Sequence, residues 1–297
     1  MLSESWYVAL REIKHFYRRR IQIVTSLATP VIWLALFGYA LSGGLPGFNL
    51  SSLGIEGIPT LLTFFVLSLN LELWQSYFLL NLTTTSYLSF LSPGIVAMTV
   101  MFTGMFAGVS IVFDKRFGYL NKLLVSPIPR SSIMFGKMIS ATVRAMIQGL
   151  IVMGLAIVLG AKMNTGLWGV VIAVPYMILF TLGFSGLSTA IGIKMAEHEE
   201  FFGVINLILL PLFFASGALV PVQLMPGWLQ VVAYFNPLTY AVDAIRCAML
   251  GGTFGPLGGG YALIGIGGSL LVDAVVLTLF IVIMVSIGVT IFRRSLK

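Results

Sequence analysis

The sequence predicts an all-α polytopic membrane protein with six transmembrane helices, and three observations carry that reading. Hydrophobic residues make up 58% of the 297 residues, charged residues only 9%, and the mean hydropathy is +1.02, whereas soluble domains carry about 25% charged residues. Apolar runs recur at lengths near the roughly 20 residues that cross a hydrocarbon core. The basic residues behind the net charge of +7 punctuate these runs and form no continuous patch, so they act as topology signals and exclude a nucleic-acid surface. The lone Cys247 excludes an intramolecular disulfide and any CxxC metal site.

The chain opens with "SESWYVALREIKHFYRRR", which places Trp6, Leu10, Ile13 and Phe16/Tyr17 on one helical face. Residues 1–20 therefore read as an amphipathic interfacial helix with Ser3 as its N-cap. A charged leader of about twenty residues is long for a signal peptide, so cleavage at the small-x-small "ALS" (40–42) is not expected. Spans follow at 21–41 (with Pro30 inside), 93–113, 138–160, 167–193, 201–220 and 271–292. Arg144 and Asp273 lie near span ends, where a long side chain snorkels to the headgroups. Gly104 and Gly108 form a GxxxG pair that admits a close neighbouring helix.

Residues 59–82 are apolar enough to consider as a span, but Glu72 and two asparagines lie inside. If that segment crossed, Lys115, Arg116, Lys122, Arg130 and Lys137 would face outward. The positive-inside rule therefore predicts cytosolic termini and an outer excursion over 42–90. The glycine cluster "GGTFGPLGGG" (251–260) reads as a loop entering the last span, and no linker or internal repeat divides the single permease domain.

Between the second and third spans lies "DKRFGYLNKLLVSPIPRS" (114–131). Phe117, Leu120, Leu123 and Leu124 fall at helical spacing. Asp114 suits the N-terminus of that helix, and Pro127 and Pro129 end it. A basic amphipathic elbow of this kind anchors to anionic lipid or docks its apolar face into a partner's groove. Residues 221–250 are chopped by Pro221, Pro226 and Pro237, with Asn236-Pro237 a good helix start. They predict a re-entrant hairpin on the outer side, in which Asp243 and Arg246, three apart, are placed to pair. "KMAEHEE" (194–200) holds acids and a histidine, but adjacent residues fan around a helix, so it reads as a turn and no metal site is expected.

The order of these motifs, "YLSFLSPGIVAMTVMF" (87–102), the 114–137 elbow, "LPLFFASGALVPVQLMPGWLQVVAYFNPLTYAVDAIR" (210–246) and a last span ending in "RRSLK", resembles the permease subunits of type-2 ATP-binding-cassette (ABC) exporters. Among these it is similar to the daunorubicin-resistance type. The resemblance runs from the N-terminal helix to the last span, with a longer outer loop at 45–86 than is usual. It implies that 114–126 is the coupling helix that meets an ATP-binding subunit, with Asp114, Phe117, Gly118, Leu120, Leu123 and Leu124 as the contact group. Replacement of Leu120 and Leu123 by Asp is then expected to abolish docking without unfolding the chain. The resemblance also implies a path lined by spans one, two and five, with Met98, Met101, Phe102, Met105 and Phe106 from span two and Asn206, Phe213 and Phe214 from span five. Methionine and aromatic side chains suit variable apolar cargo. The outer hairpin, with Asn236, Asp243 and Arg246, would roof the exit.

No Walker A loop occurs in these residues. The nearest approach, "SSIMFGKM" (131–138), lacks the first glycine and the Ser/Thr after lysine. No catalytic constellation stands out, so the chain is expected to be no enzyme itself, and energy must arrive from another polypeptide. The expected assembly is two permeases, as a homodimer, with two ATPase subunits that bind ATP and Mg, all in the inner or plasma membrane. The expected cargo is an amphipathic drug or lipid moved outward. A polysaccharide or glycolipid exporter is the alternative within the class. An ion-coupled secondary transporter would want mid-membrane ionisable groups, for which only Arg144 and Asp273 come close. A non-transporting assembly factor using the same ATPase would be separated from an exporter by substrate flux.

Overall fold

A computed structural model describes residues 2–18, 20–39, 87–125, 129–222, 225–251 and 268–295. The expected outer excursion and most of the glycine-rich loop lie outside the described residues. The described residues are helical, with no strand among them. In chain order the helices are α1 (Leu2–Arg18), α2 (Arg20–Trp33, running on as π-helical turns over Leu34–Tyr39), α3 (Tyr87–Met105) and α4 (Val109–Arg116). They continue with α5 (Tyr119–Val125), α6 (Arg130–Val158), α7 (Leu167–Lys194), α8 (His198–Phe214), α9 (Gly227–Phe235), α10 (Pro237–Leu250) and α11 (Gly268–Ser295).

Among the described residues, four stretches are long and apolar enough to cross a bilayer: Leu88–Arg116, Arg130–Val158, Leu167–Lys194 and Leu270–Phe292. The two other expected spans are shorter in helical form. Val24–Leu36 is a short apolar helix, its ladder interrupted by Pro30, which has no N–H to donate. The expected 201–220 span becomes α8, 17 residues that stop at Phe214, or about 25 Å of rise against a core of about 30 Å. The helix runs past Pro211, and the turn that includes Gly217 (φ +75°) follows its end. The crossing helix expected from 138 begins at Arg130, eight residues earlier, because Lys137 is neutralised inside the fold and no longer marks a boundary.

Helix α3 is the central post, with every residue from 88 to 101 buried. It packs among α2, α6, α7 and α10, which explains a sequence apolar on all sides. Its polar groups are satisfied locally: Thr99 donates to the Ile95 carbonyl (2.8 Å), and Ser89 accepts from the Lys162 amide (2.9 Å). The GxxxG pair does face a neighbour. A Cβ on Gly108 would lie 2.2 Å from the Ser188 carbonyl, and one on Gly192 would lie 2.6 Å from that of Gly108. At this contact α3 tightens into a 3₁₀ turn over Phe106–Gly108. The Gly108 amide donates to Ser188 Oγ (2.8 Å), whose hydroxyl donates to the Met105 carbonyl.

Helix α1 is more than a lipid-facing strip. Ser5, Val8, Ala9, Glu12 and Phe16 turn inward onto α6, where Gly136 leaves room for Val8 and the Ser5 carbonyl. Trp6, Leu10 and Tyr17 remain exposed as a second, apolar face. The junction is ionic. The ammonium of Lys137, 1% exposed, donates to Asp114 Oδ2 (2.6 Å), Ser110 Oγ (3.0 Å) and Glu12 Oε1 (3.2 Å). Arg11 donates to Asp114 Oδ1 (3.0 Å) and lies 3.6 Å from Glu12. Asp114 therefore closes α4 and clamps three helices together, where the sequence placed it at the start of the elbow helix. Burial alone would raise the Glu12 carboxyl, but Lys137 and then Arg11 outweigh it and hold it below its ordinary value of 4.5.

Two outcomes are expected. Gly108→Val would collide with the backbone of α7 and should cost about 1–3 kcal/mol or more, read as a lowered melting temperature of the purified chain. A depressed carboxylate contributes stability that is complete above its unfolded value and lost as pH falls through the lower folded one. Hydrogen exchange over residues 2–18 should therefore stay slow at neutral pH and accelerate only below 4.5, whereas Glu12→Gln should accelerate it already at neutral pH.

Candidate functional site

The elbow is built from the basic end of the bundle outward. Helix α4 ends at Arg116 and Gly118 takes φ +69°, a left-handed turn natural to glycine. Helix α5 then runs Tyr119–Val125. Its leucines differ from the expectation. Leu120 and Leu123 face into the protein, in a small core with Ile111, Ile133, Met138 and Phe292, so they hold the elbow to the bundle and are not its outer face. The side chain of Leu124 lies outside the described residues. The outward surface is Phe117, 75% exposed, Val125, 88% exposed, and Lys122. Sequence spacing identified one apolar stripe. Packing divides it in two, because α4 and α5 meet at an angle that only the Gly118 turn defines.

Two contacts fix this elbow. Arg11 of α1 lies 3.7 Å above the ring of Tyr119. Lys115 donates to the carbonyls of Ile193 and Met195 (3.3 Å each), capping the end of α7. Arg116, Lys122, Arg130 and Lys194 are exposed around the same end.

Above the elbow lie two cavities that share Phe16, Phe106, Val109 and Arg144 in their walls. The one nearer the elbow, about 370 Å³, is bordered by Arg11, Glu12, His15 and Phe117. The deeper one, about 320 Å³, runs between α2, α3 and α6 to Phe202 of α8. One wall is apolar, with Met98, Phe102, Phe106 and Phe202. The other is polar, with Thr25, Ser26, Thr29 and Gln148. Thr103 donates to Gln148 Oε1, and Gln148 Nε2 donates to Ser26 Oγ (2.7 Å), a chain that ties α3, α6 and α2.

Of the residues expected to line a path, Met98, Phe102 and Phe106 reach this cavity, while Met101 and Met105 are enclosed in the core. On α8, Phe213 is buried against Trp33, and Asn206 and Phe214 are exposed. The structure thus gathers three of the eight into one space. Phe202, Arg144 and Gln148 join them, and sequence reasoning missed Phe202 and Gln148. A polar residue one turn beyond Arg144 on an apolar helix was the signal for Gln148.

At the opposite end, Asn236 caps α10 by accepting from the Leu238 amide (3.0 Å) and donates to the Leu212 carbonyl (2.6 Å), tying the hairpin to α8. Helix α10 is buried, whereas α9 exposes Trp228, Val231 and Phe235. The charge of Arg246 acts on Asp243 as the spacing suggested, but neither Asp243 oxygen accepts a hydrogen bond. Arg246 reaches instead to the Phe90 and Gly217 carbonyls (3.4 and 3.2 Å) and lies 3.9 Å over the Phe90 ring. Asp243 faces Asp273 of α11, and both are buried. Two ionised carboxylates are acceptors only, and neither Asp243 oxygen has a donor partner. Within "KMAEHEE", Glu200 accepts from the Ala196 amide (3.2 Å) and the His198 ring sits 3.7 Å from that of Phe113, so neither residue converges on a shared point. Asp273→Asn supplies the missing donor by amide. Its melting temperature should equal or exceed that of the parent, by about 1 kcal/mol of stability at most.

Comparison with known proteins agrees with this geometry. Residues 3–250 match the family described as ABC-2 type transporter. The chain is 30% identical over 246 residues to ycf38 of Cyanophora paradoxa, named as a transport permease (82% of this chain, 73% of that one). It is 32% identical over 247 residues to ycf38 of Porphyra purpurea (83% and 74%). It is also 24% identical over 250 residues to the daunorubicin resistance ABC transporter permease protein DrrB1 of Streptomyces coeruleorubidus (84% and 75%). With its apolar crossing helices, basic elbow and matching span of sequence, the chain belongs to the ABC-2 type transporter family of membrane permeases.

Proposed function

We propose that this chain is the membrane-spanning subunit of an ABC exporter, moving an amphipathic drug or lipid-like substrate outward with energy from ATP hydrolysed on a separate subunit. The elbow is the observation that carries the reading. A short helix held to the bundle by its inward leucines, and by Arg11 on Tyr119, presents an apolar-basic surface of Phe117, Lys122 and Val125. Such a surface suits docking into a groove, and its rigid backing suits transmission of force.

In this proposal the chain crosses six times, with α2 and α8 completing spans beside the four long helices. The basic end faces the cytosol by the positive-inside rule. Two copies pair in a cell membrane and meet two ATPase subunits, which hold ATP and Mg. Closure of those subunits pushes on α5 and, through Arg11 and Asp114, on α1 and α6. The cavities beside Arg144 would accept cargo on the cytosolic side, and the hairpin of α9 and α10 would part to release it. The name of DrrB1 favours a drug, whereas the mixed polar and apolar cavity walls suit any amphiphile, glycolipids included.

The first experiment is gentle purification of the tagged chain from its native membranes, with partners identified by mass spectrometry. A stoichiometric ATP-binding subunit is expected, and its absence in several mild detergents would sink the proposal. Phe117→Asp with Val125→Asp should reduce co-purification at least about tenfold while leaving the melting temperature unchanged. Leu120→Asp should instead destabilise the chain itself by about 3–5 kcal/mol, because it buries an unpaired charge.

A further inference from the structure

The exporter reading leaves the cargo open, and Arg144 bears on it. This residue lies two turns deeper along α6 than Lys137, roughly 10 Å along the axis, in the shared wall of both cavities. It is the single charged residue among the described residues lining the deeper one. Its own contacts are few. Nε donates to the Ser140 carbonyl at 3.4 Å, the far limit of a hydrogen bond, and the guanidinium carbon lies 5.7 Å from the Phe16 ring, near the limit of a cation–π contact. The rest of its N–H donors meet no acceptor among the described residues. Nearby acids are engaged elsewhere: Glu12 and Asp114 are held by Lys137 and Arg11.

A guanidinium inside a bundle, with no acid among the described residues in ion-pair contact and only the longer-range charge of Glu12 acting on it, facing an open cavity, is a group suited to a ligand. Its planar fork matches a phosphate, sulfate or carboxylate in two parallel hydrogen bonds. Gln148, one turn on, and Ser26 and Thr29 across the gap supply further polar partners, and Met98, Phe102, Phe106 and Phe202 offer an apolar wall beyond them. We propose that Arg144 is the recognition point for an anionic head group, and that the substrate of this permease is an anionic amphiphile whose apolar part lies along the Phe102–Phe202 wall. A permanently cationic drug would meet a like charge at the same point. The inference rests on the exporter reading for the word substrate, but the site itself does not.

The test uses the full chain in phosphatidylcholine nanodiscs and a diazirine-bearing alkyl phosphate as photoprobe. Labelling is expected within residues 98–106 and at Phe202. Dodecyl phosphate should compete at about tenfold or more lower concentration than dodecylamine, and Arg144→Gln should abolish that difference while Arg144→Lys retains most of it. Equal competition by the two amphiphiles, or an undiminished preference in Arg144→Gln with an unchanged melting temperature, would overturn the site. If Arg144→Gln does not fold, equal competition by dodecyl phosphate and dodecylamine in both Arg144→Lys and the parent chain, with labelling outside 98–106, overturns it equally. A second arm reconstitutes the complex with its ATPase. Labelling and charge preference without any ATP-binding partner would uphold the site and refute the exporter reading. ATP-driven export of a cationic amphiphile that ignores Arg144 substitutions would refute the site and uphold the exporter.

Discussion

Lys137 is the constraint on which this architecture depends. An ammonium 1% exposed in the first turns of a long apolar helix is tolerable only with counter-charges at hydrogen-bond distance. Those come from two other elements, Glu12 of α1 and Asp114 of α4. The requirement pins α1, the end of α4 and the start of α6 to one point. Arg11 extends the same cluster to Tyr119 and so to the elbow. A force on α5 thus has a short, charged and well-packed route into the bundle, with no flexible linker between.

The second organising feature is close packing through small residues. Gly108 and Gly192 let α3 and α7 touch backbone to backbone, and the 3₁₀ turn at that point redirects the lower end of span two toward the elbow. The cavities exist on the opposite side of α3, where α2 approaches through polar side chains and is held by the Thr103–Gln148–Ser26 chain. In lipid such bonds contribute modestly, on the order of 1 kcal/mol each, which leaves this contact weaker than the glycine-packed one. A bundle that is tight on one face and loosely bridged on the other is suited to opening along the loose face.

The two ends differ in how they treat charge. At the basic end, every described acid in the α1–α4–α6 cluster is matched by a cation. At the hairpin end, two acids meet each other while the nearby arginine serves carbonyl groups and an aromatic ring. The first arrangement is rigid. The second leaves two buried acids facing each other without a hydrogen-bond donor on Asp243.

Composition and periodicity by themselves determined the all-helical membrane class, the amphipathic N-terminal helix, the basic elbow and the Asn236 cap, because these follow from local chemistry: hydropathy, spacing, and the backbone demands of proline and asparagine. The GxxxG contact at Gly108 was also legible. Tertiary structure alone decided which side of each helix mattered. Leu120 and Leu123 face inward and Phe117 outward, Met101 and Met105 are core while Met98 lines a cavity, and Asp243 meets Asp273 as well as the charge of Arg246. In a chain apolar nearly everywhere, hydropathy cannot tell lipid from protein as the surrounding medium, so the facing of a helix is written only in the contacts it makes. The partners of Lys137 were hidden for the same reason: its counter-charges lie 125 and 23 residues away in sequence, and only the packed bundle brings them within reach.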